Sequence, residues 1–118
     1  MKIILTSENA LLAVKLRDKI IKATKGEADD TIIDTWSYVR SSDDYDILFH
    51  NPEQYLKDPG KNVLFRLEID GAFVILSSAW WKKNPEPSYE IVCLHTGRLT
   101  EMLLRYFKKD FIKFTIID

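Results

Sequence analysis

The sequence predicts an α+β fold, in which a single mixed β-sheet of about six to seven strands carries two helices, mainly on one face. Three observations predict it. Short runs of β-branched and aromatic residues recur along the chain, two longer segments repeat apolar residues every three or four positions, and an Asp-Gly pair joins two of the short runs. The elements are expected in the order β-α-β-β-β-β-β-α-β.

Length and composition predict one globular domain over residues 1–118. The hydrophobic fraction of 46% and the charged fraction of 30% argue against disorder and against a bilayer protein. No apolar run approaches the ~20 residues that a membrane span requires. The net charge of −1 gives no general attraction to nucleic acid, and the single cysteine fits a reducing compartment. We therefore expect a cytoplasmic protein without direct nucleic-acid or membrane contact.

The first third of the chain indicates a strand, a helix and a second strand. Residues 2–6 form an apolar run, and Ser7 is the expected N-cap of a helix that ends at Gly26. Residues 31–39 predict the second strand, with Ile32 and Trp36 on the same face. Because a strand, a helix and a strand often form a βαβ unit, we expect the two strands to be parallel neighbours.

The rest of the chain is expected to hold five more strands and one more helix. Two of the strands form a hairpin that turns at Asp70-Gly71, since this dipeptide between apolar runs is a strong hairpin signal. Thr96 is the expected N-cap of the last helix, whose apolar residues recur at helical spacing. These strands are expected within residues 45–51, 63–81 (the hairpin), 89–96 and 111–117.

The hairpin also carries residues at a fixed spacing. In the phospholipase D superfamily each half-site has a histidine, a lysine two residues on, an aspartate five beyond that, and then a small pair with a nearby asparagine. With Asp70 in the aspartate position, the small pair falls on Ser77 and Ser78. The hairpin, and the order of elements around it, therefore resemble a phospholipase D-like domain.

The catalytic positions of that pattern are occupied by other residues. The histidine position falls on Val63, the lysine position on Phe65 and the asparagine position on Trp80. The resemblance therefore implies a degenerate, non-catalytic domain, similar to effector domains of some prokaryotic transcription regulators. It implies a ligand pocket lined by Val63, Phe65, Ser78 and Trp80, suited to an apolar or aromatic group or a stacked sugar ring. Because active members pair two half-sites, it also implies a homodimer.

An acidic segment supports a different hypothesis. Residues 27–46 hold seven acids against one base, Arg40. Such a surface could block the basic cleft of another protein, as in an immunity protein that neutralises a bacterial toxin. The expected partner-binding residues are Asp29, Asp30, Asp34, Trp36, Asp43 and Asp44.

Candidate catalytic groups are few. His50 and His95 lie in separate predicted strands without metal-ligand spacing, so both are interpreted as structural histidines. Cys93 has apolar neighbours and is interpreted as a core residue. No phosphate-binding glycine loop and no nucleophile elbow are present. We expect no catalytic residues, no metal site and no cofactor, and therefore a binding protein rather than an enzyme.

Overall fold

Six strands form one sheet in the computed structural model, which describes residues 1–31 and 33–118. The strands are β1 (Lys2–Thr6), β2 (Trp36–Arg40), β3 (Asp46–His50), β4 (Leu64–Asp70), β5 (Phe73–Ala79) and β6 (Lys113–Ile117). The helices are α1 (Ala10–Thr24), the single turn α2 (Glu53–Leu56) and α3 (Tyr89–Phe107), with 3₁₀ turns at Pro59–Lys61 and Lys108–Asp110. The strand order is β2-β3-β4-β5-β1-β6, and each neighbouring pair is antiparallel.

The two long helices pack against the same face of the sheet. Leu16 and Ile20 of α1, Leu99 and Leu103 of α3, and Phe65 of β4 belong to a single buried apolar cluster. Alternate residues of each strand point into this cluster, because successive side chains of a strand face opposite sides. The α+β class, the single sheet and the coverage of one face are therefore confirmed, and the helices of the described residues leave the second face uncovered.

The predicted parallel pair of strands does not form. Strand β2 lies at an edge of the sheet, and β1 has β5 and β6 as its neighbours. The short connections from β2 to β3 and from β4 to β5 favour antiparallel neighbours, and the strands β2 to β5 occupy the side of β1 where a βαβ unit would have placed β2. The sheet is consequently antiparallel rather than mixed. Ile32, which was expected to share a strand face with Trp36, lies outside the described residues.

The predicted strand over residues 89–96 is wrong, because these residues form the first turns of α3. Ser88 caps the helix, and its hydroxyl oxygen accepts a hydrogen bond from the Ile91 amide at 3.3 Å. Thr96 lies inside the helix, where its hydroxyl donates to the Val92 carbonyl at 2.7 Å. The alternating apolar pattern of this segment also fits one helix face, and the Ser88 cap allows the chain to adopt it.

The hairpin between β4 and β5 is confirmed, but its turn lies one residue later than the predicted Asp70-Gly71 turn. Asp70 pairs with Phe73, so Gly71 and Ala72 form a two-residue turn. Gly71 has a φ of +57°, the left-handed value that the first central residue of a type II′ turn requires.

The ends of α1 agree only in part with expectation. Asn9, not Ser7, is the N-cap, and its side-chain oxygen accepts from the Leu12 amide at 2.9 Å. Ser7 is buried instead, and its amide donates to the Ala72 carbonyl at 2.8 Å. Gly26 takes a φ of +75° after the last turn, and its amide and that of the next residue bond back to the helix. Of the helices described in the structure, none is long and apolar enough to cross a membrane.

Candidate functional site: two clefts on opposite faces of the sheet

The residues expected to line a ligand pocket do not form one. Val63 and Phe65 are 1% and 0% exposed and belong to the core, because they point to the face that the helices cover. Ser78 lies opposite Phe65 in the ladder, and its hydroxyl oxygen accepts from the Met1 ammonium group at 3.0 Å. Trp80 follows the end of β5 and is 42% exposed. Ser78 and Trp80 share a cleft of about 330 Å³ that includes neither Val63 nor Phe65.

The residues expected to bind a protein partner also separate into two groups. The aspartates are exposed, with Asp29, Asp30 and Asp34 before β2, and Asp43 and Asp44 in the loop after it. Within the described parts of the chain, none of these carboxylates has a basic side chain within ion-pair distance.

Trp36 cannot belong to an exposed docking surface. It is 2% exposed and lies on the helix-covered side of the sheet, where its ring contacts His50 and Phe65. Burying a large aromatic side chain removes much apolar area from water, so the core is the favoured place for it.

The first cleft lies on the sheet face that carries no helix. We call it the tryptophan cleft, and its volume is about 520 Å³. Its floor is apolar, because it is lined by Ile47 of β3 and Leu64 of β4, which are buried but do not belong to the main core cluster. In the ladder, Ile47 pairs with Arg66 and Leu64 pairs with Phe49. Successive side chains of a strand face opposite sides, and Phe65, between Leu64 and Arg66, points into the core. Ile47 and Leu64 therefore lie on the uncovered face.

One rim of the tryptophan cleft is the loop between β2 and β3. The Ser41 amide donates to the Tyr45 carbonyl at 2.9 Å, and the Tyr45 amide donates to the Ser41 hydroxyl oxygen at 3.0 Å. These two hydrogen bonds close the loop and fix the backbone that carries the Tyr45 ring. The Arg66 guanidinium lies over that ring, 4.3 Å from its centroid. The cation–π contact holds the Arg66 charge at the edge of the cleft.

The other rim is the segment that leaves β5. It carries Trp80 and Trp81, followed by Lys82 and Lys83, and a turn bonds the Asn84 amide to the Trp81 carbonyl at 2.9 Å. These residues bring two indoles and two ammonium groups to the same cleft.

Positive charge predominates among the side chains of the tryptophan cleft. Arg66, Lys82 and Lys83 line it, against the carboxylate of Asp43. In residues 1–31 and 33–118, these three cations form no ion pair within 4.0 Å. Their charge is therefore available to an anionic ligand.

The second cleft lies on the helix-covered side, at the β2 edge of the sheet. We call it the histidine cleft, and its volume is about 450 Å³. Its walls are the segment before β2, the α2 turn and one side of α3. His50, at the end of β3, and Tyr55, in α2, line it between these walls.

Hydrogen bonding defines the proton position on His50. Its Nδ1 lies 3.0 Å from the Thr35 carbonyl oxygen. Because a carbonyl only accepts, Nδ1 must carry the proton, and Nε2 of the neutral ring is then a hydrogen-bond acceptor. Burial lowers the pKa of His50, and the Arg98 charge adds to this effect, while the Thr35 bond and Glu101 oppose it. The ring is therefore neutral at physiological pH.

His95 lies behind the histidine cleft and is 1% exposed. Its ring meets the Tyr55 ring at a centroid distance of 4.8 Å and the His50 ring at 5.8 Å, edge to face in both cases. Burial and the proximity of His50 lower the pKa of His95 to about 4, which the Lys61 backbone only partly opposes. Among the described residues, neither ring nitrogen has a hydrogen-bond partner of normal geometry.

Sequence reasoning missed both clefts. The sequence predicts a strand at His95, whereas the residue lies in α3. The contact between the His50 and His95 rings could therefore not be predicted. The Arg66–Tyr45 contact depends on the strand register, which the sequence does not specify. The signal that could have indicated the first cleft is the run Trp80-Trp81-Lys82-Lys83, which combines stacking surface and positive charge.

Within the part of the chain that the structure describes, no three histidine, cysteine or carboxylate side chains lie close enough to hold a metal ion. What the clefts offer is hydrogen-bond acceptors, fixed cations and aromatic surface, and these groups suit binding.

A scan against protein-family models, a search of curated proteins and a search of solved structures each found no match to this chain. The phospholipase D-like resemblance therefore stays a prediction.

Proposed function

We propose that this chain is a non-catalytic binding module that takes a planar anionic ligand in the tryptophan cleft. The observation that carries the proposal is the meeting of Arg66, Lys82 and Lys83 with two indoles over an apolar floor. The module would act by recognising a small molecule, as a ligand-sensing domain does.

The charges argue for an anion. Three cations without carboxylate partners among the described residues repel one another, and an anionic ligand would relieve this repulsion. The Arg66 guanidinium is already held over Tyr45, so less conformational entropy is lost when it pairs with a ligand. We therefore expect affinity to fall as the salt concentration rises, because exposed charges are screened.

The aromatic side chains argue for a planar ring. Indoles offer a large, rigid surface for stacking, and a base stacked on an aromatic side chain contributes about 1–3 kcal/mol. Trp80 is 42% exposed, an unusual position for an indole that serves only the core. The cleft volume of about 520 Å³ lies within the range that small-molecule sites occupy.

The test is a fluorescence titration with adenosine 5′-monophosphate, which joins a planar ring to an anion. Adenosine lacks the anion and ribose 5-phosphate lacks the ring, so both should bind at least tenfold more weakly. The double substitution Lys82→Gln/Lys83→Gln should weaken nucleotide binding to a similar extent. Lys15→Gln/Lys22→Gln on α1 is the matched control. Unchanged tryptophan emission with all three compounds would refute the proposal.

The second candidate function is inhibition of a basic protein by the acidic residues around β2. The observation that favours it is that Asp29, Asp30, Asp34, Asp43 and Asp44 are all exposed without an ion-pair partner in the described residues. An oligolysine peptide is a suitable probe, and Asp29→Asn/Asp30→Asn should weaken its binding at low salt. Equal binding by the variant would remove this candidate.

Three further expectations remain proposals. The role as effector domain of a transcription regulator and the homodimer both depend on the phospholipase D-like resemblance. Light scattering at micromolar concentration tests the dimer, and a monomer would count against it. The cytoplasmic location depends on composition and can be tested by cell fractionation.

A further inference from the structure

His50 presents an unused acceptor to the histidine cleft. The residue is 9% exposed and lines the cleft, and its Nδ1 is occupied by the Thr35 carbonyl. In residues 1–31 and 33–118, no donor is hydrogen-bonded to its Nε2. This nitrogen is not one of the fully buried, unpartnered polar atoms of the described residues, so solvent in the cleft reaches it, and a ligand that brings a donor can replace water there.

The walls of the histidine cleft carry opposite charges. Arg98 and Arg105 of α3 lie two turns apart on the same helix face, and Glu101 between them pairs with Arg98 at 3.5 Å. Arg105 has no carboxylate partner in the described residues, and its guanidinium lies 5.4 Å from the Tyr106 ring centroid. On the facing wall, before β2, Asp34 is exposed and likewise without an ion pair there.

The floor between the walls includes apolar side chains, although the exposed lining of the whole cleft is more polar than apolar. The floor is bordered by the side chains of Trp36, Tyr55 and Met102, all of them at most 9% exposed. Such a floor offers contacts to an apolar or aromatic group, while the polar groups of the walls stay accessible to solvent.

We infer that the histidine cleft binds a free α-amino acid with an apolar side chain. The carboxylate would pair with Arg105, the ammonium group would donate to His50 Nε2 and Asp34, and the side chain would lie on the apolar floor. This site is on the opposite side of the sheet from the tryptophan cleft, so the inference goes beyond the proposed function and does not depend on it.

The ammonium group is favoured over a hydroxyl for an electrostatic reason. A hydroxyl could donate to Nε2, but only a cation also compensates the charge of Asp34. Burial keeps the pKa of His50 low, so that Nε2 stays an acceptor at neutral pH. Binding should therefore weaken in acid, when the ring is protonated at Nε2 and repels the ammonium group.

Isothermal titration with L-phenylalanine tests the inference. Three analogues each remove one contact: 2-phenylethylamine lacks the carboxylate, 3-phenylpropionate lacks the ammonium group, and L-3-phenyllactate replaces it with a hydroxyl. Each should bind at least tenfold more weakly than the amino acid. Absence of binding by L-phenylalanine and L-leucine, or equal binding by the analogues, would overturn the inference.

Variants locate the site. Arg105→Gln and Asp34→Asn should each weaken binding at least tenfold, whereas Lys108→Gln, in the 3₁₀ turn that follows α3, should leave it unchanged. Since a His50 variant could lose the fold, the ring itself is observed by ¹⁵N NMR, where addition of L-phenylalanine should shift Nε2 and leave Nδ1 nearly unmoved. An unmoved Nε2 signal would contradict the inference.

Trp81→Phe separates this inference from the proposed function. It changes the tryptophan cleft alone, so it should leave amino-acid binding intact. Loss of amino-acid binding in this variant would contradict a separate site.

Discussion

His50 and His95 meet edge to face, with ring centroids 5.8 Å apart and ring planes at 87°. One ring comes from the end of β3 and the other from the second turn of α3. Both are buried, and in the described residues only His50 has a hydrogen bond of normal geometry to the protein. Burial favours the neutral form of both rings, because protonation would place a charge in a low-dielectric environment, and Glu101 offsets this only in part at His50.

The first prediction is that the protein loses stability in mild acid. The pKa of His95 is about 4 in the folded chain, against an ordinary value of 6.5. Above pH 6.5 the ring is neutral in both states, so it causes no loss of stability with pH there. As the pH falls from 6.5 to about 4, the unfolded chain takes up a proton that the folded chain does not. The free energy of unfolding should drop by about 3 kcal/mol in that interval.

Urea unfolding between pH 7.5 and 4.5 measures this effect. Carboxylates also titrate in part of this range, so His95→Leu is the control that isolates the histidine. Its stability should depend less steeply on pH than that of the unmodified chain. If the free energy of unfolding varied equally with pH in the two proteins, the lowered pKa of His95 would be contradicted.

The second prediction concerns the same substitution at neutral pH. His95→Leu should raise the free energy of unfolding by about 1 kcal/mol, because it removes buried nitrogens without partners and keeps a similar side-chain volume. Some aromatic contact with Tyr55 is lost, which limits the gain. Equilibrium urea unfolding at pH 7.5 gives the comparison. A destabilised variant would mean that the ring has a partner, such as a bound water molecule.

Local patterns were sufficient to predict the hairpin at Gly71, the helix ending at Gly26 and the α+β class. In each case the residues that determine the structure are neighbours along the chain. The neighbours of β1 could not be predicted in this way, since β5 and β6 reach it through contacts distant in sequence. Periodicity was also ambiguous over residues 89–96, where an apolar run fits a strand or a helix face.

The candidate sites depended on those same long-range relationships. Placing Val63 and Phe65 in a pocket required an uncovered face at these positions, but the helices cover it. The two histidines approach one another only when residue 95 lies on a helix. The sequence could indicate the segment Trp80-Trp81-Lys82-Lys83 after β5, because it combines aromatic rings and positive charge in neighbouring residues.

The third prediction uses the glycine inside α3. Gly97 is exposed, its φ is not positive, and a Cβ atom added there would meet no atom within 4 Å. Gly97→Ala should therefore raise the free energy of unfolding by about 1 kcal/mol, the difference in helix propensity between the two residues. Gly71→Ala should have the opposite effect, since its φ of +57° is strained for alanine. Thermal unfolding followed by circular dichroism compares them. A neutral or destabilising Gly97→Ala would argue against a continuous helix.

The fourth prediction separates a core aromatic residue from a cleft aromatic residue. Phe65 is 0% exposed, so Phe65→Leu should cost about 1–2 kcal/mol of unfolding free energy and leave nucleotide binding unchanged. Trp80 is 42% exposed and lines the tryptophan cleft, so Trp80→Ala should change stability by less than about 1 kcal/mol and weaken nucleotide binding. Urea unfolding and titration with adenosine 5′-monophosphate are measured on both variants. The reverse result, in which Phe65→Leu abolishes nucleotide binding and Trp80→Ala does not, would contradict a site in the tryptophan cleft. It would instead support the pocket predicted from the sequence.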